Sequence, residues 1–344
     1  MLYFDSASMT KPLSVALKAY RDAPFGNPSS EHAVGKAARD ALEQAREKIA
    51  KLMDCDPREI YFCSTATESA ALAWWSVKNA KAYTPVISDV EHHAISANAD
   101  ALDFPYLKQF AVASMIANNE TGEIRNPPSV ANMKLWISDA TSAVGHIPVS
   151  FRNLGCDYLI FDTIKFGGTP GAAALIAKKN APLSPLIRGG GQERGMRSGT
   201  ENVPAICAMA AALEWQTEHM QENTLKIGTM RQMLFQSLSR IPDHKWNTPF
   251  DTPCLPHILN ISFDGVDAHA LALMLSNQGV MVSPGAACSN GLHEPSHVIM
   301  ALYNDEARAR SAIRISLSHE NTPDECVEAA SKIEAAVSYL RYIS

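Results

Sequence analysis

The sequence predicts an α/β protein, with a mostly parallel sheet flanked by helices and a smaller α+β domain after it. Three observations carry this prediction. Short apolar runs alternate with helical patterns through the first half of the chain. Polar or glycine-rich turns follow several of those runs. From about residue 204 the texture changes to long helical patterns with a few widely spaced strands.

The elements follow in order. E-I-Y-F-C-S (59–64) reads as a strand, and A-T-E-S-A-A-L-A-W-W-S-V-K (66–78) as a helix with Thr67 and Glu68 in its first turn. P-V-I-S-D-V (85–90), V-A-S-M-I-A (112–117), K-L-W-I-S-D (134–139), Y-L-I-F-D (158–162) and A-A-A-L-I-A-K (172–178) read as buried strands. Two helical patterns follow, A-I-C-A-M-A-A-A-L-E-W and N-T-L-K-I-G-T-M-R-Q-M-L-F-Q-S-L. Then come strands at 257–263, 280–283 and 312–317, and a helix around 267–277. The last helix opens on T-P-D-E: Thr322 caps it, Pro323 takes the first helical position and Glu325 completes a capping box. The expected division is a large domain over 12–220 and a small one from 1–11 and 221–344.

Composition bounds the function. A chain of 344 residues with 46% hydrophobic and 19% charged residues can bury a full core. A net charge of −6 argues against a general nucleic-acid binder. The opening M-L-Y-F-D-S-A-S-M-T carries an acid and no basic segment, unlike a secretory signal, and no run approaches the ~20 apolar residues of a membrane span. The seven cysteines are scattered, odd in number and free of C-x-x-C pairs. Reduced thiols in a cytoplasmic protein are expected, with no structural metal.

In a parallel sheet, ligands bind beyond the carboxyl ends of the strands, so polar residues there are candidates. Lys165 follows an apolar strand and precedes a glycine-rich turn, where its amine could join a carbonyl cofactor. On this segment alone, a lysine snorkelling from a strand end is the more frequent case. Asp139 ends another strand and could pair with a ring nitrogen, or simply cap the next turn. His92 could stack on a flat ring or shuttle protons, or be structural. Ala66 and Thr67 open a helix after a strand, a place for a phosphate or for ordinary capping. R-G-G-G-Q-E-R-G-M-R-S-G-T (188–200) reads as a flexible basic loop suited to anions. Arg314, inside A-I-R-I-S-L, could clamp a carboxylate or lie on an exposed strand face. Cys288 lies in V-S-P-G-A-A-C-S-N-G, a run of small residues that packs no core.

Taken together these segments resemble the cysteine desulfurases of the NifS/IscS type, within the fold-type I pyridoxal-phosphate enzymes. The likeness spans nearly the whole chain: Y-F-D-S-A-S, F-G-N-P-S-S-E-H, A-T-E-S, E-H-H-A, N-N-E-T-G, D-A-T-S-A-V-G, the glycine–arginine motif, and A-C-S followed by E-P-S-H-V. The resemblance implies a large domain with a seven-stranded sheet, and pyridoxal 5'-phosphate as cofactor. It places Lys165 as the Schiff-base lysine, Asp139 as the partner of the pyridinium nitrogen and His92 as the ring-stacking acid/base. It places Ala66 and Thr67 at the phosphate turn, with Thr200 reaching the phosphate from the other subunit of a homodimer. Asn119 would contact cofactor or substrate, and Arg314 the carboxylate of L-cysteine. Cys288 would take the sulfur, leaving alanine, and carry it as a persulfide to an acceptor protein. That acceptor would serve iron–sulfur assembly, tRNA thiolation or DNA phosphorothioation, with no nucleic acid or membrane bound directly.

The chain departs from the family pattern. Ser-x-His-Lys is here Asp162, Thr163, Ile164, Lys165, so two phosphate ligands are replaced, with Thr163 a candidate substitute hydroxyl. The glutamine after D-A-T is Ser142, and the segments between His93 and Asn118 and between Pro127 and Lys134 are short. Two uncompensated phosphate hydrogen bonds are worth about 2–4 kcal/mol. Two alternatives stand beside an active desulfurase: a degenerate, non-catalytic partner in a sulfur-transfer complex, and a related lyase or aminotransferase such as one acting on selenocysteine.

Overall fold

The computed structural model describes residues 1–104, 106–285 and 294–343. In chain order its elements begin β1 (Leu2–Tyr3), α1 (Ser14–Asp22), α2 (Ala33–Met53), β2 (Ile60–Cys63), α3 (Ala66–Ala80), β3 (Thr84–Ile87), α4 (His93–Asp100) and β4 (Phe110–Met115). Next come β5 (Met133–Asp139), α5 (Phe151–Leu154), β6 (Tyr158–Asp162), β7 (Ala173–Ala177) and α6 (Val203–Leu238). The chain ends with β8 (His244–Trp246), β9 (Ile258–Phe263), α7 (Ala268–Asn277), β10 (Val280–Met281), β11 (Ser283–Pro284), α8 (His297–Tyr303), α9 (Glu306–Arg310), β12 (Ala312–Ser316) and α10 (Pro323–Ile343). No helix among the described residues is long and apolar enough to cross a membrane.

The chain divides into two compact units. The larger holds Lys11–Ile116 and Asn126–His219. Its sheet runs β2-β7-β6-β5-β4-β3, with β3 to β6 mutually parallel and β7 antiparallel to both its neighbours. Strands β6 and β7 are buried at every position, which is why they read as unbroken apolar runs. Helix α3 lies on this sheet through Leu72, Ala73, Trp74 and Val77, packed in one cluster with Ile137, Ile160 and Leu175. Its alanines let the helix approach closely, and Trp74 is fully buried. Trimming it to alanine would cost about 3–5 kcal/mol.

This sheet has six strands among the described residues, where the family resemblance implied seven. The reason lies between α4 and β4: residues 101–109 are too few for another parallel strand, whose crossover needs about a dozen residues or more. The short segment therefore leaves β3 as the edge.

The smaller unit holds Met1–Thr10, Ala117–Arg125 and Met220–Ser344. Its sheet runs β11-β12-β9-β8, antiparallel throughout, and a second ribbon pairs β1 with β10 in parallel. Phe4, Leu234, Leu259, Phe263, Leu271, Ile313, Ile333 and Val337 share its core. The expected strand over 280–283 breaks at Val282, so that Val280 and Met281 serve one sheet and Ser283 and Pro284 the other. The capping box of α10 forms as read: the Glu325 amide donates to Thr322 Oγ1 at 3.3 Å and the Thr322 amide to Glu325 Oε2 at 3.2 Å.

Two further readings change. The two helical patterns after residue 204 are one helix, α6, because the polar stretch between them contains no proline or glycine to break it. Residues 117–125, assigned by sequence to the large domain, cluster with the smaller unit. There the Leu255 amide donates to the Gly122 carbonyl at 2.8 Å, and Asn260 Nδ2 to the Glu120 carbonyl at 3.2 Å.

Candidate active site

In the larger unit, Lys165 closes a short 3-10 turn, Thr163–Lys165, entered directly from β6. Asp162 caps that turn, its Oδ1 accepting the Ile164 N–H at 3.2 Å. Gly167 follows at φ +87°, and a Cβ there would stand 2.8 Å from Leu13, so the turn requires glycine. Lys165 itself is half-buried, and its carbonyl accepts a hydrogen bond from His146 Nε2 at 2.9 Å. Burial pushes the His146 ring down to about 4, so it is neutral at physiological pH.

Asp139 ends β5, the parallel neighbour of β6, so Asp139 and Asp162 leave the sheet at the same edge. The Asp139 carboxylate accepts the Thr141 N–H at 2.9 Å and is half-buried. Lys165 and Asp139 both act electrostatically on the buried Asp162 carboxyl, the first lowering its pKa and the second raising it. Burial outweighs the bonds it accepts, and its pKa stands above the usual carboxylate value. His92 caps α4, with Nδ1 accepting the Ala94 N–H at 3.0 Å, which puts the ring proton of the neutral form on Nε2. Ser142, in the turn after Asp139, is half-buried; Thr67 and Thr200 are exposed. The Thr163 hydroxyl is buried without a partner and lies against Gly168.

The start of α3 is already partly engaged. Asp162 Oδ2 accepts the Ala66 N–H at 2.9 Å. Thr65 Oγ1 accepts the Glu68 N–H at 3.2 Å, which leaves the Thr67 amide outside these bonds. Beside it, Arg197 donates to Glu68 Oε1 at 2.6 Å and to Ser64 Oγ at 2.5 Å. Burial pushes Glu68 up, but these bonds outweigh it and hold the carboxyl below its ordinary value.

The glycine–arginine segment is therefore not the flexible basic loop expected from sequence. Arg194 lies 4.2 Å over the Tyr61 ring, and Glu193, almost fully buried, pairs with Arg46 at 2.7 Å and accepts the Phe62 N–H at 2.8 Å. The charges of Glu193, Arg194 and Arg197 are spent on β2, α2 and α3, while Arg188 is exposed. Glu193 and Arg194 take φ values of 48° and 56°, a strained backbone held by those contacts.

In the smaller unit, Arg314 on β12 is 4% exposed, not on an open strand face. It donates to the Asn119 carbonyl at 2.8 Å, to Asp5 Oδ1 at 3.1 Å and to Ser8 Oγ at 2.6 Å. Arg314 Nε and Asn119 Oδ1 remain buried without protein partners. Glu120 is fully buried, its Oε2 accepting from Ser296 Oγ at 2.5 Å. Burial, the largest effect, outweighs that bond and the nearby His297 and Arg314, and raises the Glu120 pKa. Cys288 lies outside the described residues. The sequence reading missed Asp5, Ser8, Glu120, His146 and Arg197. Only the D-S-A-S and N-N-E-T-G motifs pointed near the first three.

The residues fit a flat phosphorylated aldehyde. An amine and a carboxylate stand at adjacent strand ends, a helix start lies beside them, and Thr141 Oγ1 is buried without a protein partner. Fold and site thus define a fold-type I pyridoxal-phosphate enzyme. The chain belongs to the aminotransferase class-V family, whose match runs over residues 2–104 and 108–328. Members of this family use pyridoxal 5'-phosphate. Among curated relatives, the cysteine desulfurase IscS of Dictyoglomus turgidum is 34% identical, over 100% of this chain and 96% of that one. A solved NifS-like protein superposes with a TM-score of 0.90 at 31% identity, covering 98% of this chain and 99% of that one. The structure described as SspA in complex with cysteine gives a TM-score of 0.78 at 26% identity, over 94% and 100% of the two chains.

Proposed function

We propose that the protein is a pyridoxal-phosphate-dependent cysteine desulfurase that takes sulfur from L-cysteine, leaves L-alanine and passes the sulfur to an acceptor protein. The observation that carries this is the placement of Lys165, in the turn that follows β6, and of Asp139, at the end of the parallel neighbour β5, at the same edge of the sheet. Relatives named for the activity support it over the full chain length.

When bound, the cofactor supplies an electron sink for an amino acid attached to it. Lys165 is the amine that holds it and that moves a proton at the amino-acid α-carbon. Asp139 keeps a proton on the ring nitrogen. His92 would stack against the ring and, with its proton on Nε2, serve as acid/base towards the substrate. Ala66, Thr67 and Thr200, the last from a second copy of the chain, hold the phosphate, and Ser142 and Thr163 stand near it. Arg314 holds the substrate carboxylate with Asn119 beside it. Cys288, as thiolate, attacks the substrate sulfur. An S–S bond forms, the carbon–sulfur bond breaks with its electron pair going to carbon, and a proton on that carbon completes alanine. The persulfide then meets the acceptor in the cytoplasm.

The test is direct. With L-cysteine and a thiol reductant, the purified protein should release alanine and sulfide in equal amounts. Lys165→Ala should abolish both, and Cys288→Ser should abolish sulfur delivery. Delivery at an undiminished rate by Cys288→Ser would overturn the assignment. Co-purification from the native cell names the acceptor. A non-catalytic protein kept for its surface is the second reading, favoured by one observation: Asp162 already holds the Ala66 amide. Protein that shows no absorbance of bound cofactor, once excess pyridoxal phosphate has been removed, would favour it.

A further inference from the structure

The placement of Asp162 has a physical origin in the sheet. Cys63 on β2 and Asp162 on β6 both register against Ala173 of β7. The turn that leads from Cys63 into α3 therefore emerges beside the carboxylate that ends β6. This is why Asp162 Oδ2 reaches the Ala66 N–H at 2.9 Å while Oδ1 holds the Ile164 N–H at 3.2 Å. A fixed carboxylate occupies the first amide of a helix start, the kind of seat a phosphate uses.

We infer that Asp162 competes with the cofactor phosphate for the α3 N-terminus, so that the phosphate binds there more weakly than it would without that carboxylate. The inference rests on the proposed cofactor role of Ala66 and Thr67. Two negative groups cannot share one amide seat without mutual repulsion. The charged groups that act on Asp162 are Lys165, which favours its ionised form, and Asp139, which opposes it. Glu68 on α3 is taken up by Arg197, so that arginine is not available to neutralise Asp162. The carboxyl gains its proton above the ordinary carboxylate range because it is buried. Phosphate affinity therefore rises as pH falls through that range. Near pH 6 the phosphate itself gains a proton, which further weakens the repulsion.

The test compares two ligands that differ only in phosphate. Apo-protein of the full chain is titrated with pyridoxal phosphate and with pyridoxal, following tryptophan fluorescence and the visible absorbance of Lys165-bound ligand. Asp162→Ser removes the carboxylate. Asp162→Asn keeps its shape and one acceptor oxygen, which guards against a folding defect in the first variant. Both should bind pyridoxal phosphate about tenfold or more tightly than wild type near pH 8, with pyridoxal changed less than about twofold. The advantage should shrink towards pH 6. Unchanged or weaker pyridoxal-phosphate binding in both variants, with pyridoxal unaffected, overturns the inference. Absence of the absorbance band with either ligand in all three proteins overturns the cofactor reading itself.

Discussion

His146 donates a hydrogen bond from Nε2 to the carbonyl of Lys165 at 2.9 Å, and its ring is held neutral with a pKa of about 4. The contact fixes the backbone of the residue proposed to carry the cofactor. Unfolded, the ring titrates near its ordinary value, so between about pH 6.5 and about pH 4 the unfolded chain binds the extra proton. Stability from this group is complete above that window and is lost as pH falls through it, by up to about 3 kcal/mol. Urea midpoints at neutral pH and near pH 5 should differ more for wild type than for His146→Gln. Equal pH dependence in the two proteins would refute this account.

The Arg46–Glu193 pair is buried on both sides, with side-chain exposures of 3% and 1%. Glu193 also accepts the Phe62 amide, and Arg46 donates to the Ile60 carbonyl at 2.9 Å. Removing Glu193 leaves the buried Arg46 with only the exposed Glu43, at 3.0 Å, as an acidic partner, and Glu193→Ala should destabilise the larger unit by about 3 kcal/mol in chemical denaturation. A loss below about 1 kcal/mol would mean the pair is dispensable.

Arg314 should govern substrate affinity more than cofactor loading. Arg314→Lys loses the two-pronged geometry and should raise the KM for L-cysteine by about tenfold or more, with the absorbance of bound cofactor unchanged. If that absorbance fell in step with activity, the residue would belong to the cofactor and not the substrate.

Glu120 and Ser296 should respond unequally. Glu120 is fully buried with its pKa raised, so Glu120→Gln should cost less than about 1 kcal/mol. Ser296→Ala removes the donor to Glu120 and also the cap on the Ile299 amide. That should cost about 1–3 kcal/mol. The reverse order of effects in thermal or urea unfolding would show that Glu120 carries charge.

Much of this was legible in the sequence because buried strands write themselves as apolar runs between turns. Strands β6 and β7 and the cap of α10 could be read directly for that reason. Lys165 and Asp139 stood out because each ends such a run. What could not be read depends on register. The Asp162–Ala66 bond exists only because two strands meet the same residue of a third. Arg314 and Asp5 are 309 positions apart. The arginines at 194 and 197 looked free until the structure placed Tyr61 and Glu68 opposite them.

The pairing of Leu2 with Val280 sets an order of events during synthesis. Leu2 is made long before Val280 and must wait for that partner. Asp5, which holds Arg314, waits with it. The β1–β10 ribbon and the Asp5–Arg314 pair therefore close only after the long chain between their members has been made.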